Sequence, residues 1–215
     1  KYKIPFLYGK FILNDRLKIL KNIAILISGT GSNMEAIIND TLSNDHPGIV
    51  KFVLSNRSDA LGLLKAQKLG IKTFVFPVNR MNSLENFEKK LLKLLIKEKI
   101  DLICLAGFMK VLSQKFLSNF KGDILNIHPS ILPSLKGLNT HKRILEKKSI
   151  THGATVHKVI PELDSGKILG QTIIKIKKGD TPEKIAKKLI KKEHYIYIKV
   201  IRNLMTGKNK IIQID

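Results

Sequence analysis

The feature that most constrains the fold is a repeated alternation between short apolar segments and segments with helical hydrophobic spacing. The apolar segments have the length of buried strands and occupy residues 21–27, 49–54, 72–76 and 101–106. Helices are predicted between them over residues 32–39, 60–69 and 83–97. Strands that are apolar on both faces are typical of a parallel sheet covered by helices on both sides. The sequence therefore predicts an α/β fold with a mostly parallel, Rossmann-like sheet.

The second half of the chain continues with strands and ends in a long helix. Strands are predicted over residues 124–128, 153–160 and 168–176, and the helix over residues 181–204, with proline in its first turn. A length of 215 residues suits one domain of this class. We divide the chain into an N-terminal extension (1–21), one folded domain (22–206) and a C-terminal tail (207–215). We expect a short helix near residues 14–21 and a loosely held tail.

A glycine-containing loop, Ser28-Gly-Thr-Gly-Ser-Asn33, separates the first strand from the first helix. Its glycines permit a tight turn, and the amide groups that begin a helix attract anions. The loop does not have the dinucleotide-binding pattern, because Met34 occupies the position of the third glycine. Taken alone, it fits an anion-binding site and an ordinary strand–helix turn equally well.

The segment Asn126-Ile-His128-Pro129 places an amide and an imidazole two residues apart in a predicted strand. Side chains two apart in a strand point to the same face, and proline disfavours helical geometry at the residue before it. An amide donor stabilises the oxyanion of acyl transfer to an amine, and an imidazole moves protons. By itself the pair also fits two polar groups that are hydrogen-bonded at the end of a strand.

Asp164 is the third polar residue of interest, and it lies in the segment Leu163-Asp-Ser-Gly166. Aspartate before glycine is ordinary turn chemistry, so the sequence alone does not distinguish a turn from a carboxylate that orients His128. The remaining histidines are scattered, and the single cysteine, Cys104, lies in an apolar strand. Because neither residue type has zinc-like spacing, we expect no metal site.

The charge of the chain is strongly positive, with 39 Lys and Arg against 17 Asp and Glu, a net charge of +22. Only five of these basic residues are arginines. Arginine makes the forked contacts of specific phosphate and base recognition, so we expect no specific nucleic-acid partner. A basic nucleic-acid-binding module stays open as an alternative, which salt-sensitive binding would favour. We expect no membrane partner, because no apolar run approaches the about 18 residues of a membrane span.

Taken in order, these segments resemble the folate-dependent glycinamide ribonucleotide formyltransferases of purine biosynthesis. The resemblance runs from residue 21 to residue 204. It rests on six motifs, which are Ile27-Ser-Gly-Thr-Gly-Ser-Asn33, Leu105-Ala-Gly-Phe-Met109, Asn126-Ile-His-Pro-Ser-Ile-Leu-Pro133, Gly137-Leu-Asn-Thr-His141, His152-Gly-Ala-Thr-Val-His157 and Glu162-Leu-Asp164. The ordered set is specific, although each motif alone is not.

The resemblance implies a formyltransferase fold and transfer of a formyl group from 10-formyltetrahydrofolate to the amine of glycinamide ribonucleotide. It also implies three catalytic residues. Asn126 steadies the oxyanion, His128 acts in proton transfer, and Asp164 raises the basicity of His128 and organises water. On this reading, the Asn–His pair is functional and residues 22–206 form the catalytic domain.

Two sets of binding residues are also implied by the resemblance. The residues for the ribonucleotide and its phosphate are Gly31, Ser32, Asn33 and Glu193. The residues for the folate are Met109, Lys110, Val111, Leu112, Asn126, Ile160, Pro161, Glu162, Leu163 and Asp164. Leu84 departs from the family pattern, in which an arginine facing the folate is common, and Arg80 or a lysine is a candidate replacement.

Two other folate-dependent enzymes share this fold and this catalytic chemistry. A formyltetrahydrofolate deformylase uses water in place of the amine and is expected to carry a further N-terminal domain. A formyltransferase for initiator methionyl-tRNA suits the positive charge but is expected to carry a further C-terminal domain. Residues 137–141 fit the ribonucleotide enzyme better than either. We expect a cytoplasmic enzyme with small-molecule substrates only, either a monomer or a homodimer.

Overall fold

The computed structural model describes residues 20–77, 83–208 and 210–214. The helix predicted at residues 14–21 lies outside the described residues except for its last two positions, and Lys21 is the first residue of a strand. Arg80 also lies outside the described residues.

One sheet contains eight strands from the described residues. The strands are β1 Lys21–Ile27, β2 Gly48–Ser55, β3 Thr73–Val75, β4 Leu102–Leu105, β5 Asp123–His128, β6 Thr151–Lys158, β7 Ile168–Lys175 and β8 Ile212–Ile214. Their order across the sheet is β3-β2-β1-β4-β5-β6-β7-β8. Pairs from β3 to β5 are parallel, β6 is antiparallel to both β5 and β7, and β7 is parallel to β8. The prediction of a mostly parallel sheet is confirmed.

The described part of the chain forms six helices. They are α1 Ser32–Thr41, α2 Leu61–Lys68, α3 Leu84–Lys97, α4 Gln114–Asn119, α5 Thr140–Glu146 and α6 Pro182–Met205. In β1, Ile23, Ile25 and Ile27 face one hydrophobic core, whereas Ala24 and Leu26 face the other. This alternation is what a strand imposes on successive side chains. Helices α1, α2 and α6 complete the first core, and α3 and α4 complete the second, so both faces of the sheet are buried.

Three features of the second half differ from the prediction. The expectation of a loosely held tail is wrong for β8, which pairs with β7 from Gly170 to Thr172. The physical reason is that Ile212 and Ile214 alternate in the strand and pack together against the first core. Helix α4 was not predicted, because its six residues are too few to show helical periodicity. Strand β6 begins and ends two residues earlier than residues 153–160.

The longest helix, α6, packs against the sheet and contacts two of its central strands. Helix α6 begins after Thr181, whose side chain accepts a hydrogen bond from the Lys184 amide. Farther along α6, the buried hydroxyl of Tyr197 lies 3.1 Å from the carbonyl oxygens of Leu105 and Leu125 and donates to them. These carbonyls belong to β4 and β5, so the helix fixes two neighbouring strands at once. No helix in the described ranges has the length and apolar character needed to cross a membrane.

The chain changes direction across the sheet between β1 and β4. The connection through α1 leads from β1 to β2 on one side, whereas the connection through α3 leads to β4 on the other side of β1. Strands β1, β4 and β5 are parallel neighbours, so their carboxyl ends lie at the same edge of the sheet. Ligands of open α/β sheets bind at this kind of reversal. The fold therefore directs attention to the loops after β1, β4 and β5.

Candidate active site

A cleft of about 650 Å³ opens at the carboxyl end of the central strands. Its walls come from four parts of the chain. These are residues 105 and 107–112 at the end of β4 and after it, residues 126–129 at the end of β5, residues 137–141 before and within α5, and residues 157 and 159–164 at the end of β6 and after it. A cleft of this size accepts a small organic molecule and buries most of its surface.

Asn126 and His128 reach this cleft from β5. The two residues flank Ile127, two positions apart in the strand, so both side chains lie on the same face, as predicted. Asn126 is partly buried, and His128 is buried. Hence the strand presents an amide and an imidazole together to one cavity.

The His128 ring has partners on both nitrogens. Its Nε2 lies 2.9 Å from the Leu135 carbonyl oxygen, and because a carbonyl only accepts, this nitrogen carries a proton. Its Nδ1 lies 3.3 Å from Oδ2 of Asp164. Nδ1 is therefore the nitrogen at which the ring can gain or lose a proton without breaking this bond, and Asp164 is the group that faces it.

Asp164 is brought to His128 by the loop after β6, and its backbone is left-handed, with φ of 48°. Its Oδ2 accepts a hydrogen bond of 2.9 Å from the Gly137 amide, and its Oδ1 lies 3.6 Å from Nε2 of His157. Burial opposes the charge of this carboxyl and raises its pKa, but His157, the Gly137 amide and His128 together outweigh burial. The net pKa lies below its usual value, so Asp164 is a carboxylate at neutral pH.

The loop from Leu135 to Asn139 holds both members of the His128–Asp164 pair. Leu135 provides the carbonyl for His128 and Gly137 the amide for Asp164. Leu135, Gly137 and Asn139 all have left-handed backbones, with φ of 56°, 80° and 58°. Arg143 anchors the loop by donating from Nη1 to the carbonyl oxygens of residues 136 and 138, at 2.6 and 3.2 Å. Left-handed backbone at non-glycine residues stores strain that the surroundings must compensate.

All ten residues predicted to bind folate line this one cleft. Apolar side chains at its mouth face solvent, with Met109 exposed by 65 %, Val111 by 59 % and Leu163 by 53 %. Exposed apolar side chains that cluster around a cavity are typical of a ligand-binding rim. By contrast, Leu84 is the first residue of α3 and does not line the cleft.

The four residues predicted to bind the ribonucleotide form a second group at the start of α1. Gly31 has a left-handed backbone, with φ of 72°, and immediately precedes the helix. The side-chain amide of Asn33 donates a 2.8 Å hydrogen bond to Oε2 of Glu193 on α6, whereas its Oδ1 is buried without a hydrogen-bond partner among the described residues. Burial raises the pKa of Glu193, although the bond from Asn33 acts in the opposite direction.

Gly31, Ser32, Asn33 and Glu193 are not among the residues that line the cleft. The two groups are connected through the loops that leave β1 and β4. Ser28 donates its amide to the Gly107 carbonyl at 3.1 Å, and its hydroxyl oxygen accepts from the Met109 amide at 2.8 Å. The glycine-containing loop after β1 and the cleft therefore share one edge of the sheet and are joined by direct hydrogen bonds.

The family model for formyl transferases matches residues 21–201, nearly the whole described chain. The chain belongs to the formyl transferase family. Among curated proteins, it is 40 % identical to the phosphoribosylglycinamide formyltransferase of Escherichia coli K12 over 190 residues, covering 88 % of this chain and 90 % of that protein. It is 37 % identical to the human trifunctional purine biosynthetic protein adenosine-3 over 185 residues, 86 % of this chain but 18 % of that protein.

Solved structures agree with this membership. This formyl transferase is similar to glycinamide ribonucleotide transformylase 1 from Symbiobacterium toebii, with a TM-score of 0.85, 36 % identity, and coverage of 87 % of this chain and 89 % of that chain. It is also similar to phosphoribosylglycinamide formyltransferase from Brucella melitensis, with a TM-score of 0.83, 40 % identity, and coverage of 87 % and 97 %.

Histidines that the sequence left without a role also lie at the cleft of this formyl transferase. His157 of β6 is buried beside Asn126 and Asp164. His141 lines the cleft, and its Nδ1 lies 3.0 Å from Nε2 of His152. Burial lowers the pKa of both rings of this second pair, that of His152 to about 4, so both are neutral at pH 7. Antiparallel pairing of β6 with β5 is the signal that would have directed attention to His157.

Within residues 20–77, 83–208 and 210–214, no group of three or more His, Cys, Asp or Glu side chains is arranged to hold a metal ion. The expectation of no metal stays a prediction.

Proposed function

We propose that this formyl transferase moves the formyl group of 10-formyltetrahydrofolate to the amine of glycinamide ribonucleotide, a step in purine biosynthesis. The observation that carries the proposal is the meeting of Asn126, His128 and Asp164 at one cleft. Support comes from the 40 % identity to the phosphoribosylglycinamide formyltransferase of E. coli, which extends over 90 % of that protein.

Formyl transfer to an amine forms a bond from the amine nitrogen to the formyl carbon and breaks the bond from that carbon to N10 of the folate. The formyl oxygen carries negative charge between these two events. A donor that is already oriented stabilises such charge better than water does. We assign this task to the side-chain amide of Asn126, which lies in the wall of the cleft.

The reaction also moves one proton from the amine to N10 of the folate. We assign this transfer to His128 and Asp164, whose Nδ1 and Oδ2 atoms lie 3.3 Å apart. Leu135 occupies Nε2 of the ring, so we assign to Nδ1, which faces the carboxylate, both the uptake of the proton from the amine and its return to N10. The lowered pKa of Asp164 keeps it ionised and able to stabilise a protonated His128.

The binding sites are assigned by the same reasoning. We assign the folate to the cleft, where residues 109–112 and 160–164 supply an apolar rim. We assign the ribonucleotide phosphate to Gly31, Ser32 and Asn33, because the amides that begin α1 favour an anion. Glu193, beside Asn33, is assigned to the hydroxyl groups of the same substrate.

The test is an assay of the purified chain with 10-formyltetrahydrofolate and glycinamide ribonucleotide, following tetrahydrofolate release and the formylated product. We expect turnover that requires both substrates. Removing the donor in Asn126→Ala is expected to lower kcat by about 10² to 10³. Absence of turnover by folded wild-type protein would refute the proposal.

The same assay separates the rival functions. A deformylase releases formate and tetrahydrofolate without the ribonucleotide, so the reaction without that substrate distinguishes it. Replacing the ribonucleotide with initiator methionyl-tRNA tests the tRNA enzyme, which the charge of +22 suits. We expect neither reaction to approach the rate with glycinamide ribonucleotide.

Three further expectations accompany the proposed function. We propose a cytoplasmic enzyme, because a tetrahydrofolate substrate requires a reducing compartment. We propose that the chain acts as a monomer or homodimer, which light scattering after size exclusion measures. We propose that it binds no specific nucleic acid, so that any binding to duplex DNA or tRNA should be weak and should decline steeply with salt.

A further inference from the structure

His157 lies directly opposite Asn126 in the antiparallel pair of β5 and β6. Directly opposed side chains on one face of such a pair are the closest cross-strand neighbours. The ring of His157 is buried, and its Nε2 lies 3.3 Å from Nδ2 of Asn126 and 3.6 Å from Oδ1 of Asp164. One buried ring is therefore in reach of two of the three residues to which the proposed function assigns the chemistry.

The backbone decides which nitrogen of His157 carries the proton. Nδ1 lies 2.9 Å from the carbonyl oxygen of Lys158. A carbonyl oxygen accepts hydrogen bonds and has no proton to give, so Nδ1 is the protonated nitrogen. When Nε2 carries no proton it has a free lone pair, and the neighbour that can donate to it is the amide of Asn126, at 3.3 Å. When Nε2 is protonated it donates instead toward Oδ1 of Asp164, at the longer distance of 3.6 Å. The shorter contact favours the first arrangement, with the proton on Nδ1 alone.

This proton arrangement selects one of the two orientations of the Asn126 amide. With Nδ2 toward His157, one N–H bonds to the ring and the second N–H is left for the cleft. With the amide reversed, its carbonyl oxygen would face the lone pair of Nε2, and two acceptors would repel. The chain of contacts from Lys158 through His157 to Asn126 is therefore a device that keeps a donor directed at the cavity.

We propose that His157 is a positioning residue for formyl transfer, which acts by holding the amide of Asn126 with a donor toward the formyl oxygen. The proposal rests on the proposed function of the cleft. The role of His157 in it is to orient Asn126, through the contacts of its two ring nitrogens with Asn126 and the Lys158 carbonyl, and the proton transfer stays with His128 and Asp164.

Two substitutions of His157 test the proposal, because each places an amide group at the position of a different ring nitrogen. In His157→Gln the amide group reaches the place of Nε2 and can still accept from Asn126, whereas in His157→Asn it reaches only the place of Nδ1. We expect His157→Gln to retain most of kcat and His157→Asn to lose about tenfold, the change that one neutral hydrogen bond supports. KM for both substrates should change less than kcat.

A matched control is His46→Gln. His46 is also buried and bonded through its ring to backbone, but it precedes β2 at the opposite edge of the sheet. The His46→Gln substitution should leave kcat unchanged even if it lowers the stability of the fold. Equal losses in His157→Gln and His157→Asn would overturn the proposal, because packing alone then accounts for them.

A double-mutant cycle isolates the path through Asn126. Once Asn126→Ala has removed the amide, adding His157→Asn should lower kcat by less than about twofold, because interacting residues are not additive. A full additional tenfold loss would show that His157 acts through another residue and would overturn the proposal.

A spectroscopic measurement separates this proposal from the proposed function. Nitrogen-15 resonances of the histidine rings in the unliganded wild type report which nitrogen is protonated. A proton on Nδ1 and none on Nε2 is the expected result, and a proton on Nε2 would overturn the inference. This readout decides the role of His157 even if wild-type protein fails to turn over both substrates, a failure that would refute only the proposed function.

Discussion

Two buried carboxyl groups at the same edge of the sheet have opposite electrostatic properties. Asp164 at the cleft and Glu193 beside the glycine-containing loop after β1 are exposed by 8 % and 9 %. Asp164 has an amide and two histidine rings around it, and its pKa is lowered. Glu193 has the one amide of Asn33, and its pKa is raised. Similar solvent exposure thus accompanies opposite pKa shifts, because Asp164 has more stabilising partners and Glu193 is enclosed more deeply by the protein.

The polar groups of the cleft around Asp164 and His128 already have partners in the unliganded chain, whereas a polar atom at the start of α1 does not. At the cleft, each oxygen of Asp164 and each nitrogen of His128 has a neighbour in the unliganded chain. Beside α1, by contrast, Oδ1 of Asn33 is buried without a hydrogen-bond partner in the described chain. Preorganisation suits groups that stabilise a transition state, whereas unsatisfied polar atoms suit groups that a substrate completes.

The largest effect on activity is expected from removing the carboxylate charge of Asp164 in the cleft. Asp164→Asn keeps the size of the side chain but leaves His128 without a carboxylate, so kcat should fall by about 10² to 10⁴. KM for the ribonucleotide should change little. Steady-state kinetics with each substrate varied measure both quantities, and a rise in KM with unchanged kcat would show that Asp164 binds substrate and is not part of the chemistry.

Glu193→Gln should produce the reverse kinetic pattern. The amide keeps an acceptor for Asn33 but removes the charge, so KM for glycinamide ribonucleotide should rise by about tenfold or more, as expected for a charged hydrogen bond. The kcat value should change less. Isothermal titration with the ribonucleotide alone checks the loss of binding independently of turnover.

The raised pKa of Glu193 also predicts a gain in stability for the same variant. A carboxyl whose pKa rises on folding stabilises the fold at low pH, and this contribution is lost as the pH rises through the folded pKa. Glu193→Gln should therefore unfold at a higher temperature than wild type at pH 8, and this advantage should diminish in acid. A variant that is less stable than wild type at pH 8 would contradict this interpretation.

A smaller effect is expected from loosening the loop that organises the cleft. Arg143→Ala removes the donor to two loop carbonyls, so kcat should fall by about three- to tenfold, in keeping with one or two exposed hydrogen bonds. Arg143→Lys should recover part of the loss. Lys142→Ala, one residue away on the same helix and exposed, is the control and should retain the wild-type rate. Equal rates for Arg143→Ala and wild type would show that the loop holds its shape without this anchor.

The smallest effect concerns acid stability at Asp164. Its pKa falls on folding from an ordinary value of 3.8, so its contribution is present above that pH and is lost as the pH falls through the folded pKa. The difference in urea midpoint between wild type and Asp164→Asn should therefore be constant near neutrality and shrink below about pH 4. A difference that grows in acid would contradict the lowered pKa.

The positions of several site residues within their strands and loops could be predicted from the local sequence pattern, but the contacts between these residues could not. The glycine-containing segment 28–33, which leads into α1, and the pair Asn126 and His128 were predicted to be at their observed places. Glycine content and a period of two are local properties of the sequence. His157 was missed because only the pairing of β6 with β5 gives it a partner. The strand at Ile212–Ile214 was missed because three residues show too little alternation to be distinguished from a tail.

By itself, the sequence determined the succession of strands and helices, the apolar faces that bury them, and which side chains share a face within one element. These follow from hydrophobic periodicity and backbone preference, which act over a few neighbouring residues. Only the tertiary structure decided that Asp164 faces His128, that the Leu135 carbonyl fixes the proton of that ring, and that the pKa values of Asp164 and Glu193 shift in opposite directions. Those outcomes depend on distance and solvent exclusion between residues far apart in the chain, and such quantities exist only once the strands have paired and the loops have closed.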